Sequence, residues 1–157
     1  MDYYDLWRRA TENIVARHTS VITKEGVLIL PKECLVGINV EEDEYPVFLT
    51  NSLAEGLLCI YSIDAFEETC NALSRLNSMD QNVRYLKRRI IAEAIKDKID
   101  KNGHINIEAE LLTRLDFDTN KVMNKSQTGF PVTILEYPNK IEIVSSTLYE
   151  ELKADLD

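Results

Sequence analysis

Two short segments hold the residues best suited to chemistry. Asp100-Lys101-Asn102-Gly103-His104 gathers a carboxylate, an ammonium and an imidazole around an Asn-Gly pair. Thr23-Lys24-Glu25-Gly26-Val27, 77 residues earlier, keeps the spacing with a hydroxyl and an ammonium but ends on hydrocarbon. Lysines beside a glycine turn can reach phosphates, and a neutral imidazole can hydrogen-bond a phosphate or a base edge. Neither segment is a catalytic constellation. The chain has no Gly-x-x-x-x-Gly-Lys, no Gly-x-Ser-x-Gly and no His-Glu-x-x-His. Paired carboxylates at Glu67/Glu68 and Glu150/Glu151 fall at expected helix starts, where the macrodipole accounts for them. The histidines are two, His18 and His104, too few for a His-rich metal site. The cysteines are three, Cys34, Cys59 and Cys70, with the nearest pair eleven apart. That spacing signals neither a disulfide framework nor zinc, so the cysteines read as small buried hydrophobes. Neither enzymatic activity nor a metal or cofactor is expected.

The elements that position these segments repeat. Thr23–Leu30 aligns with Asp100–Ile107, and the match continues through Glu33 with Glu110 and Leu35 with Leu112. In each copy a turn ending in glycine precedes an alternating apolar pair, Leu28/Leu30 or Ile105/Ile107, the period of a half-buried strand. Asn102-Gly103 is a hairpin signal because both residues tolerate positive φ. Pro31 closes the first strand. A second pair of segments, Leu58–Glu68 and Ile141–Glu151, reads as strand running into helix, with Asp64/Glu67 and Thr147/Glu150 at capping-box spacing. Phe66, Cys70 and Leu73 mark the apolar face of the first such helix.

A linking helix is expected over 79–95, opening near Asp80, with Val83, Leu86, Ile90 and Ala94 as its buried stripe, widened by Ile91 and Ile95. Tyr3, Trp7, Ala10 and Ile14 predict a helical extension over 1–12. Glu41-Glu42-Asp43-Glu44 reads as a solvated loop without EF-hand spacing. No apolar run approaches the roughly 20 residues that span a bilayer. The start of the chain is acidic, so a cytoplasmic protein without membrane contact is expected.

This order, together with Ser74-Arg75-Leu76-Asn77-Ser78-Met79 before the linking helix, Arg84 and Arg88 within it and Asp100-x-x-Gly103 after it, resembles the MraZ family over roughly residues 13–152. The resemblance implies an α+β fold. Its core would be a duplicated AbrB-like barrel, double-psi or swapped-hairpin, with peripheral helices and a pseudo-twofold repeat. The halves would be 13–78 and 96–157, in one interlocked unit. It also implies a nucleoid-associated transcriptional regulator, assembled as a homo-oligomeric ring that reads repeated upstream DNA sites through its hairpin loops. Each half of such a protein carries Asp-x-x-Gly-Arg, whose arginine fork suits phosphate or guanine. Here the second half has Asp100, Gly103 and His104, and the first has Thr23, Gly26 and Val27. Neither has the arginine.

Charge bears on that expectation. The chain carries 27 Asp+Glu against 18 Lys+Arg, a formal −9. The window 33–68 holds nine acids and no Lys or Arg, which equals the whole deficit. The flanking stretches 8–32 and 75–101 are basic, with five Lys/Arg against two acids and eight against four. The resemblance, with this local basicity, implies DNA-contacting residues at Lys24, Gly26, Val27, Asp100, Lys101, Gly103 and His104. Secondary basic candidates are Arg17, Lys32, Arg84, Lys87, Arg88, Lys96 and Lys98. The alternative for Arg84, Lys87 and Arg88 is a polar helix face or salt bridges to the acidic window. The alternative for the whole chain is an assembly protein that keeps the fold without binding DNA and co-assembles with a DNA-binding relative.

Overall fold

A computed structural model describes residues 3–115 and 129–154. Its strands are β1 Ala16–Ile22, β2 Val27–Ile29, β3 Tyr45–Asn51, β4 Leu57–Ser62, β5 Ile95–Ile99, β6 His104–Asn106, β7 Phe130–Glu136 and β8 Ile141–Ser145. They form one antiparallel sheet in the order β5-β3-β4-β8-β7-β1-β2-β6. The edge strands β5 and β6 are consecutive in the chain and joined by the Asp100–Gly103 turn, so the sheet curls into a nearly closed barrel. Five α-helices lie among the described residues: α1 Tyr3–Ala10, α2 Ile63–Ser74, α3 Gln81–Lys87, α4 Ala109–Arg114 and α5 Ser146–Ala154.

Period-two alternation fills the barrel. Ile22, Leu28, Leu30, Leu58, Ile60, Ile105, Ile107, Ile134 and Ile143 point inward into one cluster. The outer face is buried where helices cover it: Trp7 packs with Leu57, Leu135, Val144 and Tyr149, and Phe66 of α2 with Cys59 and Tyr61. Strand β4 is accordingly apolar on both faces. Under α1 lies Glu142, 1% exposed. Its carboxylate accepts from Trp7 Nε1 at 2.9 Å, from the Tyr137 hydroxyl at 2.5 Å and from the Ser52 hydroxyl, with Lys140 Nζ at 3.9 Å. These donors, the Cys59 thiol at 3.6 Å and the nearby cation offset the desolvation of the carboxylate, and the Trp7 bond fastens the N-terminal helix to the barrel.

Three local expectations are corrected. The linking helix is shorter than 79–95: α3 gives way to a π-turn at Arg88–Ala92, and Ile95 opens β5, opposite Leu49. Ile95-Lys96-Asp97-Lys98-Ile99 alternates with period two, and pairing with β3 prevails over helical continuation. The helix caps lie two residues earlier than the capping boxes placed them. Ser62 Oγ accepts from Ala65 N at 3.2 Å and Ser145 Oγ from Leu148 N at 3.1 Å, because each strand runs straight to its serine and turns there. Cys34 and Cys59 are buried as expected, but Cys70 is half-buried; all three are free.

Candidate nucleic-acid interface

The two glycine turns are built alike. In the first, Thr23 N–H donates to Val27 O at 2.8 Å and Gly26 N–H to Thr23 O at 2.8 Å; in the second, Asp100 N–H donates to His104 O and Gly103 N–H to Asp100 O, both at 3.0 Å. Each turn then engages the other. Leu30 N–H donates to Gly103 O at 2.8 Å, and Ile107 N–H to Gly26 O at 2.7 Å. Between these bonds β2 and β6 pair antiparallel, Val27 with Asn106 and Ile29 with His104. Three residue pairs at about 3.4 Å per residue bring the turns to within about 10 Å of each other along the ribbon.

Glycine is required at both tips. Gly26 and Gly103 have φ of +87° and +84°. A Cβ would lie 2.9 Å from Ile107 O at Gly26 and 2.5 Å from Leu30 O at Gly103. The residue opening each turn braces it from the side. Asp100 Oδ1 accepts from Asn102 N–H at 2.8 Å and His104 N–H at 2.9 Å; Thr23 Oγ1 accepts from Val27 N–H at 3.1 Å. The Asp100 carboxyl is held below its ordinary pKa, foremost by the bond from the His104 N–H, then by that from Asn102 and by nearby His104 and Lys101.

The sequence-derived candidates divide into two groups. Lys24, Lys101 and His104 are exposed around the turns, and Lys32 is exposed in the 3₁₀ turn Lys32–Leu35 that follows β2. Val27 and His104 line one cavity of about 320 Å³ together with Asp100, Asn106, Glu44, Asp97 and Lys98. Glu44 and Asp97 were not anticipated as neighbours. They make this concavity richer in carboxylates than in cations, and Lys98 is already 3.2 Å from Glu44. Lys96 is exposed on the same strand.

The helix cations are engaged otherwise. Arg84 Nη1 donates to Ser78 O and Met79 O at 3.1 and 2.9 Å, and Lys87 Nζ to Leu76 O and Ser78 Oγ at 3.3 and 2.6 Å. They tie down the α2–α3 connection. Arg88 is exposed, whereas Arg89 donates to Ser52 O and Ala54 O at 2.8 and 3.2 Å. Arg17 lies over the Tyr149 ring, 5.9 Å from its centroid.

Fold and site together define an α+β protein whose nearly closed antiparallel barrel carries two interlocked glycine turns. The chain is similar to the transcriptional regulator MraZ of Nitrosococcus oceani, with 28% identity over 108 residues covering 69% of this chain and 65% of that protein. It is also similar to the transcriptional regulator MraZ of Pseudoalteromonas translucida, with 27% identity over 104 residues covering 66% and 61%. The chain thus spans less than two thirds of the length of these curated relatives. No protein-family model matches it. No helix among the described residues is long and apolar enough to cross a membrane.

Proposed function

We propose that this chain is a DNA-binding transcriptional regulator that acts as an oligomer, with the turns at Lys24–Val27 and Lys101–His104 facing DNA. Two relatives named as transcriptional regulators support the class. The observation that carries the site is the reciprocal bonding of the turns, Leu30 to Gly103 and Ile107 to Gly26, which fixes two exposed lysine-bearing loops as one rigid unit. Equivalent bonds at positions 77 residues apart also support the reading of two interlocked halves, 13–78 and 96–157, related as a swapped-hairpin repeat. Lys24 and Lys101 contact phosphates, while His104 supplies a hydrogen bond. One subunit offers few such contacts, so a ring of subunits on repeated upstream sites gains affinity by multivalency. In the cell such a protein is cytoplasmic and nucleoid-associated.

A second reading is favoured by one specific feature, the Glu44, Asp97 and Asp100 carboxylates around Val27 and His104. They repel phosphate, and a protein built this way serves as an assembly partner of a DNA-binding relative. Binding of the assembled oligomer to DNA upstream of its own gene, measured at several salt concentrations, separates the two. A regulator shows log K falling linearly with log[salt], and Lys101→Ala with His104→Ala weakens it. No binding at low salt by a correctly assembled oligomer rejects the first reading.

A further inference from the structure

The geometry points to a binding site for a divalent transition-metal ion of the zinc class, formed by His18, Cys34 and Glu136 at the mouth of the barrel. One ligand atom from each, an imidazole nitrogen, the Cys34 Sγ and a carboxylate oxygen, lies within 4.8 Å of the others. The donors come from three elements that meet only in the folded chain: β1, the 3₁₀ turn Lys32–Leu35 and the last residue of β7. In the β1–β7 register His18 opposes Ile134 and Ala16 opposes Glu136, so His18 and Glu136 share the inward face as diagonal neighbours. Cys34 approaches from the turn, buried against the barrel core.

The spacing and chemistry suit such an ion. Metal–ligand bonds of 2.0–2.3 Å in a tetrahedron set ligand atoms roughly 3.3–3.7 Å apart. His18 Nε2 and Glu136 Oε2 are already 3.2 Å apart, and Cys34, within 4.8 Å of both, needs to close by at most about an ångström. A nitrogen, oxygen and sulfur set matches a borderline-soft cation. Next to the donors a cavity of about 250 Å³, lined by Cys34 and Glu136 together with Val15, Val36 and Lys140, gives an entry path and room for water as a fourth ligand.

Packing does not require this polar trio. At the positions 77 residues on from His18 and Cys34, the chain has Ile95 and Leu111, both packed in the same core. The His18–Glu136 contact and the burial of Cys34 each occupy part of the trio, whereas a metal ion joins all three donors in one role. On binding, Cys34 coordinates as thiolate and releases its proton to solvent, and His18 keeps its proton on Nδ1. DNA binding by the turns is not required.

Full-length protein stripped with a chelator and titrated with Co²⁺ under anaerobic conditions tests this. The expected result is a saturable one-equivalent transition with a thiolate-to-cobalt charge-transfer band, displaced by Zn²⁺ and unchanged in Cys70→Ser. The band disappears in Cys34→Ser, and His18→Gln weakens binding by at least about tenfold. Absence of the band in excess Co²⁺, or its survival in folded Cys34→Ser, overturns the site. Should Cys34→Ser fail to fold, alkylation of Cys34 in the wild-type chain, read by mass spectrometry of its peptide, replaces it. Zn²⁺ slows that reaction at least about tenfold if the site exists. An unaltered rate overturns it.

Discussion

The turn at Thr23–Val27 and the turn at Asp100–His104 share a backbone and a lysine at the second position, and differ in the side chains that open and close them. Both close with the same pair of main-chain bonds, both place glycine at positive φ, and each accepts a bond from the strand that follows the other. Yet one is opened by a threonine that braces a single N–H and closed by a valine, while the other is opened by an aspartate that braces two and closed by a histidine. The shared part is what holds β2 to β6. The divergent part lies at the surface, with His104 exposed and Thr23, Val27 and Asp100 half-buried, and it differs between the turns while the fold is kept, which is how function and architecture come apart in related sequences.

Replacing the glycines attacks the shared part and should have the largest effect. Gly103→Ala forces a Cβ to within 2.5 Å of Leu30 O, whereas Gly26→Ala meets Ile107 O at 2.9 Å. Both also force alanine into left-handed backbone. Denaturant unfolding should show a loss of about 3 kcal/mol for Gly103→Ala and about 2 kcal/mol for Gly26→Ala. Equal, small losses would mean that the turns relax independently and are not locked to each other.

Restoring arginine sharpens the divergent part. Val27→Arg supplies a charge and a planar fork where there was hydrocarbon; His104→Arg replaces an imidazole that can itself hydrogen-bond a phosphate or a base edge. Under the proposed function each strengthens DNA binding by about tenfold, and the salt dependence steepens by about 0.9 in log–log slope for each phosphate gained. The gain should be larger at Val27. If neither changes binding, the ribbon carrying them does not face DNA.

Much of this comparison was legible in the sequence, because glycine turns and alternating Leu28/Leu30 and Ile105/Ile107 are local signals. What joined them was not local. The β2–β6 pairing links residues 75 to 79 apart, and it is this pairing with the β3–β5 ladder that brings Glu44 and Asp97 beside Val27 and His104. The spacing of Ile95 from Ile91 fits a helix; only the partner strand decides otherwise. Glu142 follows the same logic. Ile141-Glu142-Ile143 reads as an outward polar residue in a strand, and it is outward, but Trp7 of α1 covers it. Arg84 and Lys87 lie on a polar helix face whether they face water or cap carbonyls, so their sequence spacing does not distinguish the two.

The smallest predicted effects separate the two opening residues. Thr23→Ala removes one acceptor and should cost about 0.5–1 kcal/mol. Asp100→Asn keeps the shape and removes the charge, so its signature is pH dependence. The Asp100 carboxyl is held below its unfolded value by the His104 and Asn102 N–H bonds. A depressed carboxylate contributes stability that is fully present above the unfolded pKa and is lost as pH falls through the folded pKa. Wild type should therefore exceed Asp100→Asn in thermal midpoint at neutral pH, and the difference should shrink as pH drops below the ordinary carboxylate range. No equivalent titration exists at Thr23, so Thr23→Ala should lower the midpoint by the same amount at both ends of that range. A gap between wild type and Asp100→Asn that does not vary with pH would show that the second turn is held by main-chain bonds alone, as firmly without its charge as the first turn is with a hydroxyl.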